Sequence, residues 1–211
     1  MSFEKTPAYR GNDAVKGANV TEYVDKETFE FRTREIIRCK QSIHYFAEHY
    51  YTIVNLDRGK EIIKTFPKQL GLLDFFVENK RCVVLSSRQS GKTTSYSIYC
   101  LWYTIFNNDK KVLIAADKES TAIDILSKMR MAYEYLPSWL KPGVITYNKG
   151  SIEFSNGSKI EGVATTENSG IGKSCNCIDG DSMITIADKK GILYEMSIEH
   201  ANTFIKLNSM K

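Results

Sequence analysis

Between Thr28 and Val54 apolar residues recur at helical spacing (Phe29, Ile36, Ile37, Ile43, Phe46, Ala47, Tyr50), which predicts one or two amphipathic helices. Residues 1 to about 27 are polar, contain Gly11 and Gly17 and show no period, the pattern of a loosely held leader. Pro67 opens a further predicted helix in "FPKQLGLLDFFVEN". "RCVVLSS" at 81–87 is a short continuous apolar run suited to a strand buried on both faces. A helix over 92–106 follows, then a second buried strand over 110–117 ("KKVLIAAD") and a long amphipathic helix over 118–136. Strand, helix, strand, helix predicts an α/β fold with a parallel sheet. After Pro142 short alternating strands take over, and the Asn156–Gly157 pair in "SIEFSNGSKIEGVAT" marks a hairpin.

The boundary between the first strand and its helix carries the first chemistry. "SSRQSGKT" at 86–93 fits the phosphate-loop pattern, with Ser86 in place of the first glycine. A strand that ends, turns sharply and starts a helix at Gly91–Lys92–Thr93 aims several N–H groups at one point, which suits an anion. The backbone of Ser86, Ser87, Arg88, Gln89, Ser90, Gly91 and Thr94 is expected to line a site for ATP. Lys92 would bridge the terminal phosphates and the Thr93 hydroxyl would hold Mg²⁺. Arg88 would act as an arginine finger in cis, its alternative being a plain surface arginine. Gln69, about a helix upstream, has an amide able to pair with the adenine edge.

A hydrolysing P-loop site also needs a strand ending in adjacent Asp and Glu. In "VLIAADKE" Asp117 and Glu119 are not adjacent, and Asp117 is better read as the N-cap of the next helix. No adjacent Asp-Glu pair occurs in the 211 residues, so the hydrolytic half of the site is expected to be missing.

"SSRQSGKTT", "VLIAADKESTAIDILSKMRMAYEYLP" and "GSIEFSNGSKIEGVATT" together resemble the large terminase subunit of tailed phages, over roughly 40–176. The resemblance implies a P-loop ATPase that drives double-stranded DNA into a procapsid, with a portal and a small terminase subunit as partners. It implies Gln69 as adenine reader, Arg88 as the cis arginine, and Lys92 and Thr93 as phosphate and Mg²⁺ contacts, working in the cytoplasm of an infected bacterium. In that family the Asp-Glu strand comes shortly after the point that Asn176 marks here.

At Cys177 the idiom changes. "CIDGDSMITIADKKG" resembles the N-terminal block of inteins, with a first-residue Cys, Gly180–Asp181, an alternating strand at 182–186 and a turn at Asp188–Gly191. A thiol beside its own preceding peptide bond can attack the Asn176 carbonyl and turn an amide into a thioester. The splicing nucleophile is thus expected at Cys177 and the scissile carbonyl at Asn176. Ser197–His200 imitates the Thr-x-x-His block of inteins but lies close to Cys177, and His200 is read as incidental. Cys175 is read as part of the retained flank.

These readings divide the chain into a leader with helices at 1–60, a partial terminase ATPase domain at 61–176, and a short β-rich Hint (intein) N-fragment at 177–211. The expected protein is the N-terminal precursor half of a packaging ATPase. A separately encoded partner would bring the C-terminal intein blocks and the rest of the terminase, and the fragment at 177–211 would stay loosely structured until then. A stand-alone nucleotide-binding protein and an inactive truncated phage product are the rival readings.

Composition alters little. The net charge of +4 and charged fraction of 26% are compatible with nucleic-acid contact without indicating it. The longest apolar run, at 97–106, is short of the roughly 20 residues of a membrane span, and "MSFEKTPAYRGNDAVKG" has no apolar signal region, so neither membrane nor export is expected. Five cysteines without framework spacing fit a reducing compartment, with Cys39, Cys82 and Cys100 as buried thiols.

Overall fold

Side-chain caps set the first helices. In the structure, a computed structural model that describes residues 2–5, 21–55, 57–87, 89–116, 118–164, 183–187 and 193–197, Asp25 opens α1 (Lys26–Gln41). Its carboxylate accepts from the Thr28 N–H at 2.9 Å and the Thr28 hydroxyl at 2.7 Å. Ser42 ends α1 and starts α2 (Ile43–Tyr50). Its N–H donates to the Arg38 carbonyl at 2.9 Å and its Oγ accepts from the Tyr45 N–H at 3.1 Å.

Two hairpins flank these helices where none was expected. In the stretch read as a loose leader, β1 (Ser2–Lys5) pairs antiparallel with β2 (Thr21–Val24). Beyond α2, β3 (Thr52–Asn55) pairs with β4 (Gly59–Ile62). The β-branched run Thr52-Ile53-Val54 favours extended backbone, and Gly59 has the positive φ of +77° that a tight turn demands. The helical period of 28–54 hid that run.

The later elements are α3 (Pro67–Glu78), β5 (Cys82–Val84), α4 (Lys92–Phe106), β6 (Lys111–Ala116) and α5 (Glu119–Tyr135). Then come β7 (Val144–Tyr147), β8 (Ser151–Phe154), β9 (Lys159–Ala164), β10 (Met183–Ala187) and β11 (Leu193–Ser197). The chain forms two compact units, one drawn from Met1–Thr65 and Tyr96–Cys175, the other from Phe66–Ser95 and Asn176–Lys211.

The first unit holds a sheet ordered β6-β9-β8-β7, in which β6 and β9 run parallel over six residue pairs and the other ladders are antiparallel. Helix α5 buries Ala122, Leu126, Met129 and Ala132, a stripe at helical spacing. Ile114 of β6, Ile152 and Phe154 of β8 and Ile160 of β9 are buried in the same unit, as are Ile98, Leu101 and Ile105 of α4. The second unit holds a sheet ordered β11-β10-β5, with β10 parallel to β5 through Thr185↔Cys82, Ile186↔Val83 and Ala187↔Val84.

The fold is therefore mixed α/β with parallel pairing in both sheets, but β5 and β6 lie in different sheets rather than side by side. Each is an edge strand among the described residues, which explains two departures from the sequence reading. The strand expected over 81–87 shortens to three half-buried residues, and only Ile114 of β6 is buried. An edge strand has a neighbour on one side only and is covered less completely. The N-cap of α5 is Lys118, not Asp117: the Lys118 carbonyl accepts from the N–H groups of Thr121 at 3.1 Å and Ala122 at 3.3 Å. Asp117 itself lies outside the described residues. Among the described residues no helix is long and apolar enough to cross a membrane.

The Asn156–Gly157 hairpin forms as expected and does more than reverse the chain. The Phe154 N–H donates to the Ser158 carbonyl at 2.8 Å and the Gly157 N–H to the Phe154 carbonyl at 3.0 Å, with Gly157 at φ +79°. This is a three-residue loop whose left-handed position takes glycine. A methyl group at Gly157 would also collide with the Asp109 carboxylate. Asn156 Nδ2 donates to the carbonyls of Thr104 at 2.8 Å, Ile105 at 3.3 Å and Asn107 at 3.3 Å, satisfying the C-terminal end of α4. Ser158 Oγ donates to the Asn107 carbonyl at 2.7 Å and accepts from the Lys110 N–H at 3.0 Å.

A buried carboxylate ties α1 to α2. Glu35 is 4% exposed and accepts from Arg38 Nη1 at 2.9 Å and from the hydroxyls of Tyr45 at 2.8 Å and Tyr50 at 2.6 Å. Burial pushes its carboxyl up, but the Tyr50 and Tyr45 hydroxyls and the Arg38 guanidinium outweigh it and hold the group below its ordinary value. Cys39 and Cys100 are buried, and burial pushes both thiols up to about 12. Cys82 is half-buried and pushed up to about 11 for the same reason. All three are protonated and inert at neutral pH.

Replacing Asn156 by alanine removes the side-chain donor to the Thr104 and Ile105 carbonyls and leaves the Asn107 carbonyl with Ser158 Oγ alone. It should lower unfolding stability by about 1–3 kcal/mol, and Asn156→Asp should do no better at pH 7, both read from urea midpoints. Because the folded-state pKa of Glu35 is depressed, its stabilisation is present above the unfolded value and disappears as pH falls through the folded one. The urea midpoint of the wild-type chain should therefore drop more steeply on acidification below about pH 4.5 than that of Glu35→Gln.

Candidate nucleotide site

The phosphate loop is the segment between β5 and α4, and its backbone is committed to a sharp turn. Gln89 at φ +60° and Gly91 at φ +80° both sit in the left-handed region. For glutamine that conformation carries a cost of about 1–2 kcal/mol, which the surrounding loop must offset. Gly91 then hands the chain to α4, its carbonyl accepting from the Ser95 N–H at 3.0 Å. The first N–H groups of any α-helix lack intrahelical acceptors and carry the positive end of its dipole. Residues 92–94 occupy those positions here.

Side chains complete the cradle. The Lys92 ammonium lies back over the loop and donates to the carbonyls of Ser86 at 3.4 Å and Ser87 at 3.0 Å. It thus lies across the loop, a cation held by two backbone carbonyls. The hydroxyls of Ser86 and Ser90 are hydrogen-bonded across the loop, so the residue that replaces the first glycine of the pattern contributes a cross-link. Thr93 and Thr94 are half-buried in the first turn of α4.

Gln69, in the first turn of α3, is 5% exposed. Its Oε1 accepts from the Phe66 N–H at 3.0 Å. That is half of a capping box, since Phe66 has no side-chain acceptor to return the bond. Its carboxamide also lies directly against Gly91: a methyl group there would overlap Nε2 and come within 3.1 Å of Cδ.

The structure thus brings Gln69, Ser86, Ser87, Gln89, Ser90, Gly91, Lys92, Thr93 and Thr94 into one compact unit. The donor set suits a magnesium–nucleotide complex: one cation at the loop mouth, a row of helix-start amides, and a threonine hydroxyl next in sequence to the lysine. Arg88, Asn176 and Cys177 lie outside the described residues, as do Cys175 and His200. Sequence reasoning missed the contact of Gln69 with Gly91 and the serine cross-link. A glutamine three residues after the residue preceding Pro67 was a readable capping signal, whereas its packing on the loop required the fold.

With that loop in place, one comparison bears on residues 83–174. They match the family described as terminase large subunit, T4-like virus type, N-terminal. The match supports a terminase large-subunit part in this stretch. It runs from β5 through the phosphate loop, α4, α5 and the β7–β9 strands, and ends before Cys177. Within the matched stretch the hairpin at 155–157 has the physical role described above, since its asparagine caps the C-terminal end of α4.

Gly91→Ala forces a left-handed alanine against the Gln69 carboxamide. The variant should lose about 1–3 kcal/mol of stability, measured by chemical denaturation.

Proposed function

We propose that residues 1–176 supply the ATP-binding part of a phage DNA-packaging terminase and that 177–211 are the N-terminal part of an intein. The observation that carries the first half is the Lys92 ammonium resting on the Ser86 and Ser87 carbonyls at the mouth of a left-handed loop, within a stretch that matches the terminase family. Lys92 and the backbone of Ser86–Thr94 would hold the triphosphate, and the Thr93 hydroxyl would be a ligand for Mg²⁺. Arg88 acts as the arginine in cis. Bound ATP supplies the phosphoanhydride whose hydrolysis drives packaging.

No adjacent Asp-Glu pair occurs in the 211 residues, so the water-polarising carboxylates come from polypeptide joined after Asn176. Support for the splicing half is the Cys177 block together with the antiparallel pairing of β10 with β11, close to the strand and turn expected after a first-residue cysteine. Cys177 attacks the Asn176 carbonyl, the C–N bond breaks, the Cys177 amine takes the proton, and a thioester remains for the partner's nucleophile. The partner is a C-terminal half that carries the remaining intein blocks and the rest of the terminase. After ligation the motor works on double-stranded DNA with a portal and a small subunit in the cytoplasm of the infected cell.

Titration calorimetry should detect Mg·ATP binding by the 211-residue chain without appreciable turnover, and Lys92→Ala should weaken it by at least about 10-fold, or 1.4 kcal/mol. Incubation with a C-terminal intein fragment ending in His-Asn before a nucleophile should yield a ligated product on mass spectrometry. Cys177→Ala should abolish that product, and ligation that survives the substitution would defeat the splicing reading.

A further inference from the structure

The Gln69 side chain is held at its oxygen by a hydrogen bond and packs with the rest of its amide against Gly91. Its oxygen is held by the Phe66 N–H at 3.0 Å, at the start of α3. The rest of the carboxamide fills the space beside Gly91 that a side chain would otherwise take, with Cδ 3.1 Å and Cγ 3.4 Å from the position of a Cβ. At 5% exposure this amide faces the interior rather than an open base-binding surface. Gly91 is also the residue with φ +80° whose carbonyl opens α4 next to Lys92. One planar group therefore connects the first turn of α3 to the corner that aims the helix-start amides.

We infer that Gln69 is a positioning residue of the phosphate loop, acting through Gly91, so that its loss weakens every triphosphate alike whatever base it carries. The physical reason is preorganisation. The left-handed corner at Gly91 is a strained conformation that persists only while its surroundings hold it, and a loop that must be ordered on binding loses affinity in proportion. The rival role, reading the adenine edge, requires the carboxamide to leave Phe66 and turn outward, and it affects ATP alone. The inference rests on the nucleotide-binding reading, and one of its two tests is independent of nucleotide.

The experiment compares the full chain with Gln69→Ala and with Gln69→Met, which keeps the packing volume beside Gly91 and removes the hydrogen bond to the Phe66 N–H. Hydrogen exchange is followed without nucleotide in peptides covering 66–70 and 84–95. Affinities for Mg²⁺ complexes of ATP, GTP and inorganic tripolyphosphate are measured by calorimetry. The expected result is faster exchange in both peptides at an unchanged global urea midpoint, with all three affinities reduced by about the same factor, near 10-fold, and the ATP-to-GTP ratio unmoved. Loss confined to ATP, with tripolyphosphate unaffected, would overturn the proposal in favour of base reading. Unchanged exchange over 84–95 in both variants would overturn it as well, including in a chain that binds no nucleotide. Absence of Lys92-dependent binding in the wild type would defeat the nucleotide-site reading separately, leaving the exchange comparison to decide the role of Gln69.

Discussion

A helix that begins at a strained loop has to be closed at its other end, and in this chain one asparagine does most of it. Four carbonyls at the C-terminus of an α-helix have no partner within the helix. Asn156 reaches across from the β8–β9 hairpin to the carbonyls of Thr104, Ile105 and Asn107, and Ser158 adds a second bond to Asn107. The amide can do this only because Gly157 takes the left-handed turn and leaves room for Asp109. The C-terminal part of α4 is thereby tied by polar bonds to the β8–β9 hairpin of the same unit, in which Ile98, Leu101 and Ile105 are buried.

The opposite end of α4 shows the complementary arrangement. There the backbone is strained at Gln89 and Gly91, and the groups that hold it are small: a serine pair across the loop, a lysine laid over two carbonyls, a glutamine amide against the glycine. Stabilising the loop with apolar bulk would fill the space a phosphate needs. Polar cross-links keep the cradle open while fixing its shape, which is the requirement for binding a charged ligand without a large ordering cost.

Charge is handled differently away from the loop. Glu35 is buried, yet stays ionised because three donors from Arg38, Tyr45 and Tyr50 converge on it. Cys39, with the Glu35 charge adding to its burial, and Cys100, with only Tyr96 to set against its burial, stay protonated. The difference is the number of hydrogen bonds offered to the anion, not depth alone. It leaves the three described cysteines chemically silent and the proposed reactivity with Cys177, outside the described residues.

Local sequence determined most of the helices, the sharp turn before α4 and the hairpin. Apolar period, Pro67, Gly91 and the Asn156–Gly157 pair are signals that act within a few residues, and α4 at 92–106 agrees with its period residue for residue. Tertiary structure decided what no short window contains: which sheet each strand joins, hence the half-exposed β5 and β6 at sheet edges. It also decided that Gln69 packs on Gly91, that Asn156 caps a helix some fifty residues upstream, and that Glu35 gathers hydroxyls from α2. Those contacts join residues distant along the chain, and a hydrogen bond carries no trace in the sequence of the partner it will meet.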